Sequence, residues 1–393
     1  MKLYDICDYV TSRTTNIENY ISTENMLPNK GGVCTPSNVP SGAAIEYKVG
    51  DILISNIRPY FQKIWQADCD GACSADVLCI RANNKADNKF LYYLLSQQLF
   101  FDYVMSGAKG CKMPRGDKKQ IMLWQISLPS LEEQRRIAGI LSAIDDKIEN
   151  NRRINTNLEL QAQALYKQWF VDFNFPNEDG KPYKSSGGKM VDSELGLIPE
   201  GWSVGKLEDI GDIIGGGTPS KVVAEYYTKN GIAWITPKDL SITHAKFTAK
   251  GEVDITDIGY ANSSAKMMPR GSILFSSRAP IGYISIAKND ICTNQGFKSV
   301  VPNNGCTAFV YYFLLSNTEN IESKATGSTF KEASGALMKS LELVIPSDDI
   351  LEKFEKIMSP IFEAQEKFEA ENHNLATLRD TLLPKLMNGE IKL

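Results

Sequence analysis

The stretch from Ser130 to Trp169 reads SLEEQRRIAGILSAIDDKIENNRRINTNLELQAQALYKQW. Its apolar residues and two asparagines recur at alternating steps of four and three, the heptad spacing that keeps one seam of a helix facing a partner helix. The seam residues are Ile137, Leu141, Ile144, Ile148, Asn151, Asn155, Leu158, Ala162, Leu165 and Trp169. Ser130 and Glu133 supply a capping-box start. The stretch predicts one helix spanning about 58 Å, too long for a single small globular domain.

A second heptad stretch covers residues 348–382. Its seam positions are Leu351, Phe354, Met358, Ile361, Gln365, Phe368, Asn372, Leu375 and Leu382. Arg379 interrupts the seam, and Pro360 predicts a kink or a restart of the helix, capped by Ser359, because proline lacks an N–H donor. Two comparable seams favour antiparallel pairing of the two helices. The alternative is two amphipathic helices that pack on unrelated cores.

The chain also contains an internal repeat with an offset of about 220 residues. The matching stretches are GDILIS at 50–55 with GSILFS at 271–276, YYLLS at 92–96 with YYFLLS at 311–316, Gly107 with Gly327, and LPS at 128–130 with IPS at 345–347. These landmarks occur in the same order in both halves, and the last of them precedes a long helical stretch each time. The repeat therefore predicts two related globular parts, each followed by a helix.

We expect an α+β protein of mixed α/β modules: two globular domains joined by two long antiparallel coiled-coil helices, with an internal pseudo-two-fold repeat. The expected boundaries are 1–129 for the first globular domain, 130–173 for a central helical spacer, 174–198 for a polar linker, 199–346 for the second globular domain and 347–393 for a C-terminal helical spacer. The linker is assigned from its Pro, Gly, Ser, Lys and Asp content.

Composition places the chain among globular proteins, with 393 residues, a formal net charge of −4, 42% hydrophobic and 23% charged residues. No apolar run approaches the length of about eighteen residues that a transmembrane helix needs, and no signal-peptide pattern opens the sequence. We therefore expect a cytoplasmic protein whose eight cysteines are reduced thiols. A zinc site at Cys69, Cys73 and Cys79 is a minor alternative, because their spacing lacks the paired C-x2-C pattern.

Known catalytic motifs are missing from the sequence. The stretch GGGTPSK at 215–221 has glycines but not the Lys-Ser order of a phosphate-binding loop. Two histidines, His244 and His373, leave few candidates for a catalytic triad or a histidine metal site. We therefore expect no catalytic residues and no metal ligands in this chain.

Signals for binding a phosphate backbone are present. The stretch GAKGCKMPRGDKK at 107–119 carries five basic side chains against one acid, and its glycines permit close approach. Asn56 and Arg58 follow a predicted strand, and Ser277 and Arg278 stand at the matching place in the second half. Asn and Arg side chains are suited to hydrogen bonds with the major-groove edges of adenine and guanine. The alternative for the 107–119 segment is a solvated loop without a partner. The alternative for the strand-end residues is a structural role, in which they hydrogen-bond a turn. The candidate DNA-binding residues are Asn56, Arg58, Lys109, Lys112, Arg115, Lys118, Lys119, Thr218, Ser220, Lys221, Lys238, Ser277, Arg278, Ser328, Thr329 and Lys331.

Several motifs then give a resemblance over nearly the whole chain. They are PSLEEQRRIA at 129–138, IPEGW at 198–202, GGTPS at 216–220, WITPKDL at 234–240 and LLPKLMNGEI at 382–391. With them the chain resembles the DNA-specificity subunit of Type I restriction–modification systems. Two departures occur: the second long helix starts DDIL at 348–351 without the Glu-Gln-Arg signature, and the first half lacks a Pro-Glu-Gly-Trp opening.

This resemblance implies two target-recognition domains, each reading one half of a bipartite asymmetric DNA target, with the helices fixing the spacing and docking partners. The implied partners are double-stranded DNA, two DNA methyltransferase (modification) subunits and restriction/translocase subunits, with no membrane. Those subunits would use S-adenosylmethionine, ATP and Mg, while this chain would bind no cofactor and would not be an enzyme by itself. The alternatives are a single-chain nuclease or methyltransferase, and a coiled-coil scaffold that binds no DNA.

Overall fold

The computed structural model describes residues 1–327 and 331–393. The chain divides into two compact units, one formed by residues 1–150 and 372–393 and the other by residues 151–371. Within the described ranges, no helix combines the length and the apolar character needed to cross a membrane.

The first unit is built on two antiparallel sheets. Its strands are β1 (Cys7–Tyr9), β2 (Arg13–Thr14), β3 (Ala44–Tyr47), β4 (Ile52–Ser55), β5 (Ile64–Gln66), β6 (Gly71–Cys73) and β7 (Val77–Ala82), and its short helices are α1 (Asn88–Leu95), α2 (Gln98–Ser106) and α3 (Lys118–Met122). The main sheet has the order β1-β7-β4-β5, and the smaller one has the order β2-β3-β6. Helices α1 and α2 are separate because Gln97 adopts an extended backbone between them.

The first long helix, α4 (Leu131–Tyr166), continues into a π-helical turn, Lys167–Val171. Its seam is confirmed, since all ten seam residues named from the heptad spacing are buried or half-buried.

The second unit carries a larger set of elements. Its strands are β8 (Met190–Ser193), β9 (Gly196–Pro199), β10 (Ser203–Lys206), β11 (Gly211–Gly215), β12 (Tyr227–Thr228), β13 (Trp234–Ile235), β14 (Phe247–Thr248), β15 (Asp254–Ile255), β16 (Ile273–Ser277), β17 (Ile281–Ala287), β18 (Cys292–Thr293), β19 (Lys298–Pro302) and β20 (Glu342–Ile345). Its short helices are α5 (Leu207–Ile210), α6 (Pro237–Thr243), α7 (Asp257–Ala261), α8 (Thr307–Ser316), α9 (Thr318–Lys324) and α10 (Gly335–Lys339). The second long helix is α11 (Asp348–Met387), whose residues up to Glu371 belong to this unit.

The internal repeat is confirmed by the two main sheets. The second unit has the order β11-β19-β16-β17-β14, which reproduces β1-β7-β4-β5 and adds one strand at the edge. Strands β7 and β19 both stand second in their sheet orders, and each is followed in the chain by two consecutive helices. These helices are α1 and α2 after β7, and α8 and α9 after β19. Strands β4 and β16 are therefore equivalent, and so are the loops that follow them.

In the first unit, the two long helices run antiparallel. Arg379 of α11 donates to Asp145 of α4 over 2.7 Å, which explains why a charged residue is tolerated at this position of the seam. The α4 residues Ile137 and Leu141 lie in the same buried cluster as Leu383 of α11. The helices thus form part of the core of the first globular domain.

In the second unit, polar seam residues pair across the helices. Asn151 donates to Glu371 over 2.9 Å, and Asn155 donates to the backbone carbonyl of Gln365 over 3.3 Å. Because the residue number rises along α4 while it falls along α11, the pairing is antiparallel, as expected. Polar seam residues of this kind fix register at some cost in stability.

Helix α11 is continuous through Pro360, so the expected restart of the helix is wrong. Pro360 and Ser359 both lie on the exposed face, where water can satisfy the carbonyl that proline leaves free. The Ser359 hydroxyl bonds the side chain of Glu363 over 3.2 Å instead of capping a new helix.

The segment 174–198, expected as a polar linker, carries ordered structure. It contains a 3-10 turn, Lys184–Ser186, and the strand β8 with most of its partner β9. Phe175 is buried and stacks on Trp202 with ring centroids 4.9 Å apart. Tyr183 and Val191 pack against the same buried cluster, to which Ile198 belongs, so several side chains hold the segment on the second domain.

A buried cation ties the second domain to the helices of its own unit. The Lys246 ammonium, just before β14, donates to Glu159 of α4 over 2.6 Å, to Gln365 of α11 over 2.9 Å and to the Tyr312 hydroxyl over 2.7 Å. It also lies 4.1 Å from the ring centroid of Phe362. Burial lowers the pKa of Lys246, and attraction to the Glu159 carboxylate opposes that shift.

We expect Lys246→Ala to reduce the free energy of unfolding by about 3 kcal/mol, because it leaves the Glu159 carboxylate in a largely buried place without its counter-charge. Urea denaturation followed by tryptophan fluorescence measures the change. The control is Lys189→Ala, whose ion pair with Glu200 is more than half exposed on both sides, so that its removal should change the stability little. Equal effects of the two variants would contradict this account, and Lys246→Met combined with Glu159→Gln should recover part of the stability.

Candidate nucleic-acid interface

In the first unit, the loop after β4 and the basic segment 107–119 form one surface. Ile57 forms a β-bridge with Arg115, and the Arg58 amide donates to the Pro114 carbonyl over 2.8 Å. Lys109 and Arg115 exchange two backbone hydrogen bonds of 2.9 Å, which close the basic segment into a loop. The structure thus brings the candidates Asn56 and Arg58 next to the basic segment 107–119, although about fifty residues separate them in the chain. We call this surface the first site.

The cations of the first site differ in their surroundings. Lys109 pairs with Asp117 over 3.0 Å, and Arg115 pairs with Asp76 over 3.2 Å. The remaining cations of the segment are exposed and have no ion-pair partner among the described residues; they are Lys112, Lys118 and Lys119. Exposed, unpaired ammonium groups of this kind can contact phosphates without first breaking another bond.

The loop after β4 is strained and incompletely bonded. Arg58 has a φ of 50°, a left-handed conformation that non-glycine residues adopt rarely. Asn56 is only 8% exposed. Within the described chain, the Asn56 Oδ1 acceptor and the Arg58 Nε donor have no hydrogen-bond partner. Each such buried group costs about 1–3 kcal/mol, and strain of this sort concentrates at functional sites.

In the second unit, a cavity of about 720 Å³ collects four of the candidates. These candidates are Thr218, Lys221, Lys238 and Arg278. The Thr218 hydroxyl bonds the side chain of Gln295, which lies in the loop before β19. Lys238 pairs with Glu252 over 2.7 Å, and Arg278 lies 3.6 Å from Glu332. We call this cavity the second site.

The glycine-rich loop beside the second site is packed against protein. The Trp234 indole donates to the Gly217 carbonyl over 2.9 Å. A Cβ on Gly217 would overlap the backbone nitrogen of Ala265, and one on Gly216 would overlap the carbonyl of Asn294. These glycines therefore serve close packing of two loops, and their backbone is not arranged around a phosphate.

Three of the second-domain candidates lie outside the second site. Ser277 is fully buried and donates to the Gly296 carbonyl over 3.1 Å, so its expected DNA contact is replaced by a structural bond at the strand end. Ser220 is exposed beside the cavity, and Lys331 is exposed with its ammonium 3.5 Å from the Glu322 carbonyl. The two remaining candidates, Ser328 and Thr329, fall outside the described residues.

The two sites share a backbone frame and differ in charge. Arg115 forms bridges with Ile57 and with Lys109, and Glu332 forms the equivalent bridges with Arg278 and with Thr326. The same place in the repeat therefore carries a cation in the first unit and a carboxylate in the second. Sites that differ in this way cannot favour the same arrangement of hydrogen-bond donors and acceptors.

The cysteine cluster shows no sign of a metal centre. Cys73 and Cys79 are buried, and the hydrogen bond from Cys73, together with burial, raises the pKa of Cys79 far above its usual range. Across the described residues, no group of three or more His, Cys, Asp or Glu side chains is arranged to hold a metal ion.

The family described as "Type I restriction modification DNA specificity domain" matches residues 2–160 and again residues 199–377. The chain belongs to this family. Its two matched ranges coincide with the two halves of the repeat, and each includes one of the two sites.

Two relatives agree with this assignment, and one solved structure shares the fold. The Type I restriction enzyme HindI specificity subunit of Haemophilus influenzae is 29% identical over 434 residues, covering 95% of this chain and 94% of that protein. The MjaIX specificity subunit of Methanocaldococcus jannaschii is 37% identical over 190 residues, covering 48% of this chain and 44% of that protein. The Type I restriction–modification S subunit from M. genitalium has a similar fold, with a TM-score of 0.57, 16% sequence identity, and coverage of 98% of this chain and 95% of that one.

Sequence reasoning missed several residues that line or neighbour the sites. Asn294 and Gln295 contribute to the second site, and Glu252 and Glu332 pair with its cations. Nothing in the sequence indicates the pairing partners, because the ion pairs join residues far apart in the chain.

We expect Gly217→Ala to destabilise the second unit by about 1–3 kcal/mol, because the added methyl group meets backbone atoms that cannot move aside. Thermal unfolding and proteolysis within residues 215–221 report the change. The matched control is Gly215→Ala in the same segment, where a Cβ has no neighbour within 4 Å and the effect should stay within about 0.5 kcal/mol. Similar behaviour of the two variants would show that the loop is not packed as described.

Proposed function

We propose that this chain is the DNA sequence-specificity subunit of a Type I restriction–modification complex, and that each globular domain reads one half of a bipartite asymmetric target. The observation that supports this most is the repeated frame with two chemically different sites, each beside the end of an equivalent strand, β4 or β16. Two readers with different polar surfaces fit two different half-sites. The family membership and the named relatives point the same way.

Within the first site we assign the exposed lysines to phosphate contacts and the strand-end loop to the bases. Lys112, Lys118 and Lys119 carry flexible charges that suit a backbone of any sequence. The second site offers fewer free cations, since Lys238 and Arg278 each lie beside a carboxylate. Its hydroxyl and amide groups, such as Thr218 and Gln295, suit hydrogen bonds to base edges.

Catalysis in this proposal belongs to partner subunits. Two modification subunits would methylate adenine with S-adenosylmethionine, and restriction/translocase subunits would use ATP and Mg. Helices α4 and α11 would dock the modification subunits and set the number of base pairs between the half-sites. The complex would act in the cytoplasm.

Exchange of one domain tests the modular role. Residues 1–129 are replaced by the corresponding domain of another family member, and the methylated sequence is determined by sequencing DNA modified by the assembled complex. We expect one half of the methylated motif to change while the other half and the spacing stay the same. A change in both halves, or in neither, would contradict the proposal.

The competing functions give different results in simpler assays. A single-chain nuclease or methyltransferase would modify DNA without partner subunits. A scaffold that does not bind DNA would show no salt-dependent affinity for a duplex.

We expect replacement of Lys112, Lys118 and Lys119 by Gln to weaken duplex binding. The slope of the logarithm of the binding constant against the logarithm of the salt concentration should become shallower by about 0.9 for each phosphate that is no longer neutralised. Fluorescence anisotropy at several salt concentrations measures the slope. The control is Lys85→Gln. Lys85 is exposed and follows β7 at its Ala82 end, whereas the first site lies at the opposite end of that strand, beyond Val77. An unchanged slope in the triple variant would remove these lysines from the interface.

A further inference from the structure

We propose that Arg58 reads a guanine in the half-site of the first domain, through the two terminal nitrogens of its guanidinium. This inference rests on the proposed function and assigns a single base contact within it. The charge pairing, the backbone and the burial of the loop after β4 each support it.

Among the three arginines of the two sites, Arg58 has no carboxylate partner in the described chain. Arg115 pairs with Asp76, and Arg278 lies beside Glu332. An unpaired guanidinium can present its planar fork to the O6 and N7 acceptors of guanine without first giving up an ion pair.

The backbone holds Arg58 in a defined and strained position. Its amide donates to the Pro114 carbonyl over 2.8 Å, and its carbonyl accepts from the Phe61 amide over 3.0 Å. The φ of 50° is therefore imposed from both sides of the residue. Glycine or asparagine would adopt this conformation at lower cost, so the arginine is kept here against a backbone preference.

Burial divides the guanidinium into an inner and an outer part. Nε is enclosed without an acceptor, whereas neither Nη atom is among the enclosed, unpartnered atoms of the described chain. The side chain is half-buried, and neither Nη group has a hydrogen-bond or ion-pair partner among the described residues, so both stay available for the fork that a bidentate contact needs.

The neighbourhood of Arg58 suits a base reader and not another phosphate contact. Two residues earlier, the buried Asn56 also has an acceptor, Oδ1, that lacks a partner in the described chain. The 107–119 segment, which is bonded to this loop, already supplies exposed lysines for the phosphates. A half-buried arginine beside exposed lysines therefore fits base recognition, while the lysines attract the DNA backbone.

The test uses the full-length chain assembled with modification subunits and a pool of duplexes with a randomised central segment. The wild-type complex should enrich a bipartite motif with a guanine in the half-site of the first domain. Arg58→Ala and Arg58→Lys should both lose preference at that single base pair. Affinity for the wild-type motif should fall about 5- to 150-fold, the range of one bidentate pair.

A modified base checks the contact directly. Replacing the guanine by 7-deazaguanine removes the N7 acceptor, so it should weaken binding by the wild-type complex and have little further effect on Arg58→Ala. The matched control is Arg278→Lys, which should leave every position of the first half-site unchanged.

The outcomes separate the inference from the function on which it rests. If the wild-type complex enriches a motif, and the Arg58→Lys complex enriches the same motif with full affinity, the assignment of Arg58 is wrong while the proposed function stands. Uniform weakening on all duplexes, with a smaller salt slope for Arg58→Ala, would make Arg58 a phosphate contact and would also overturn it. If the wild-type complex enriches no motif, the proposed function fails and the assignment fails with it. Arg58→Lys keeps the charge and most of the side chain, so it decides the matter if Arg58→Ala does not fold.

Discussion

Each globular domain completes its hydrophobic core with segments of both long helices. In the first unit, Leu141 of α4 and Leu386 of α11 share a buried cluster with Phe90 of α1. In the second unit, Tyr166 and Phe354 play the corresponding part in the core. Since the apolar surface buried in this way is removed from water only when helix and domain are together, the helices are structural parts of the domains and not separate rods. Any surface that a domain presents to DNA therefore depends on the helix pair beneath it.

The buried Lys246 shows how this dependence reaches the second site. Lys246 follows α6, and the first turn of that helix carries Pro237 and Lys238 at the cavity. The far end of the same segment is held by Glu159 and Gln365 of the long helices. A segment anchored at Lys246 and lining the cavity through Pro237 and Lys238 gives the cavity wall a defined position, which the proposed reading of bases would require.

The architecture could be predicted from the sequence because its signals are periodic or repeated. The heptad steps from Ile137 to Trp169 reveal the seam without knowledge of the partner, and the repeat of GDILIS as GSILFS identifies equivalent strands. The sites could be predicted only in part. The cluster of lysines at 107–119 is visible as composition, but its meeting with Arg58 depends on backbone bonds between distant segments.

Two differences between the expectations and the structure have the same physical origin, since local sequence does not say which way a side chain points. Ser277 stands at a strand end like the candidates of the first domain, but its hydroxyl turns inward to the Gly296 carbonyl. Phe175 lies in a segment whose composition indicates a linker, but its ring inserts beside Trp202. Local signals report the propensity of a segment, and tertiary packing decides the direction of each side chain.

Main-chain hydrogen bonds hold both strand-end loops in place. In one unit the Arg58 amide donates to the Pro114 carbonyl, and in the other the Ala333 amide donates to the Ser277 carbonyl. Bonds of this type are available to nearly every amino acid, so they tolerate replacement of the side chains around them. The opposite charges of Arg115 and Glu332 on one shared frame show that tolerance within a single molecule. Evolution can therefore alter the preference of either half by point substitution while the scaffold persists, and the two halves can diverge independently after a duplication.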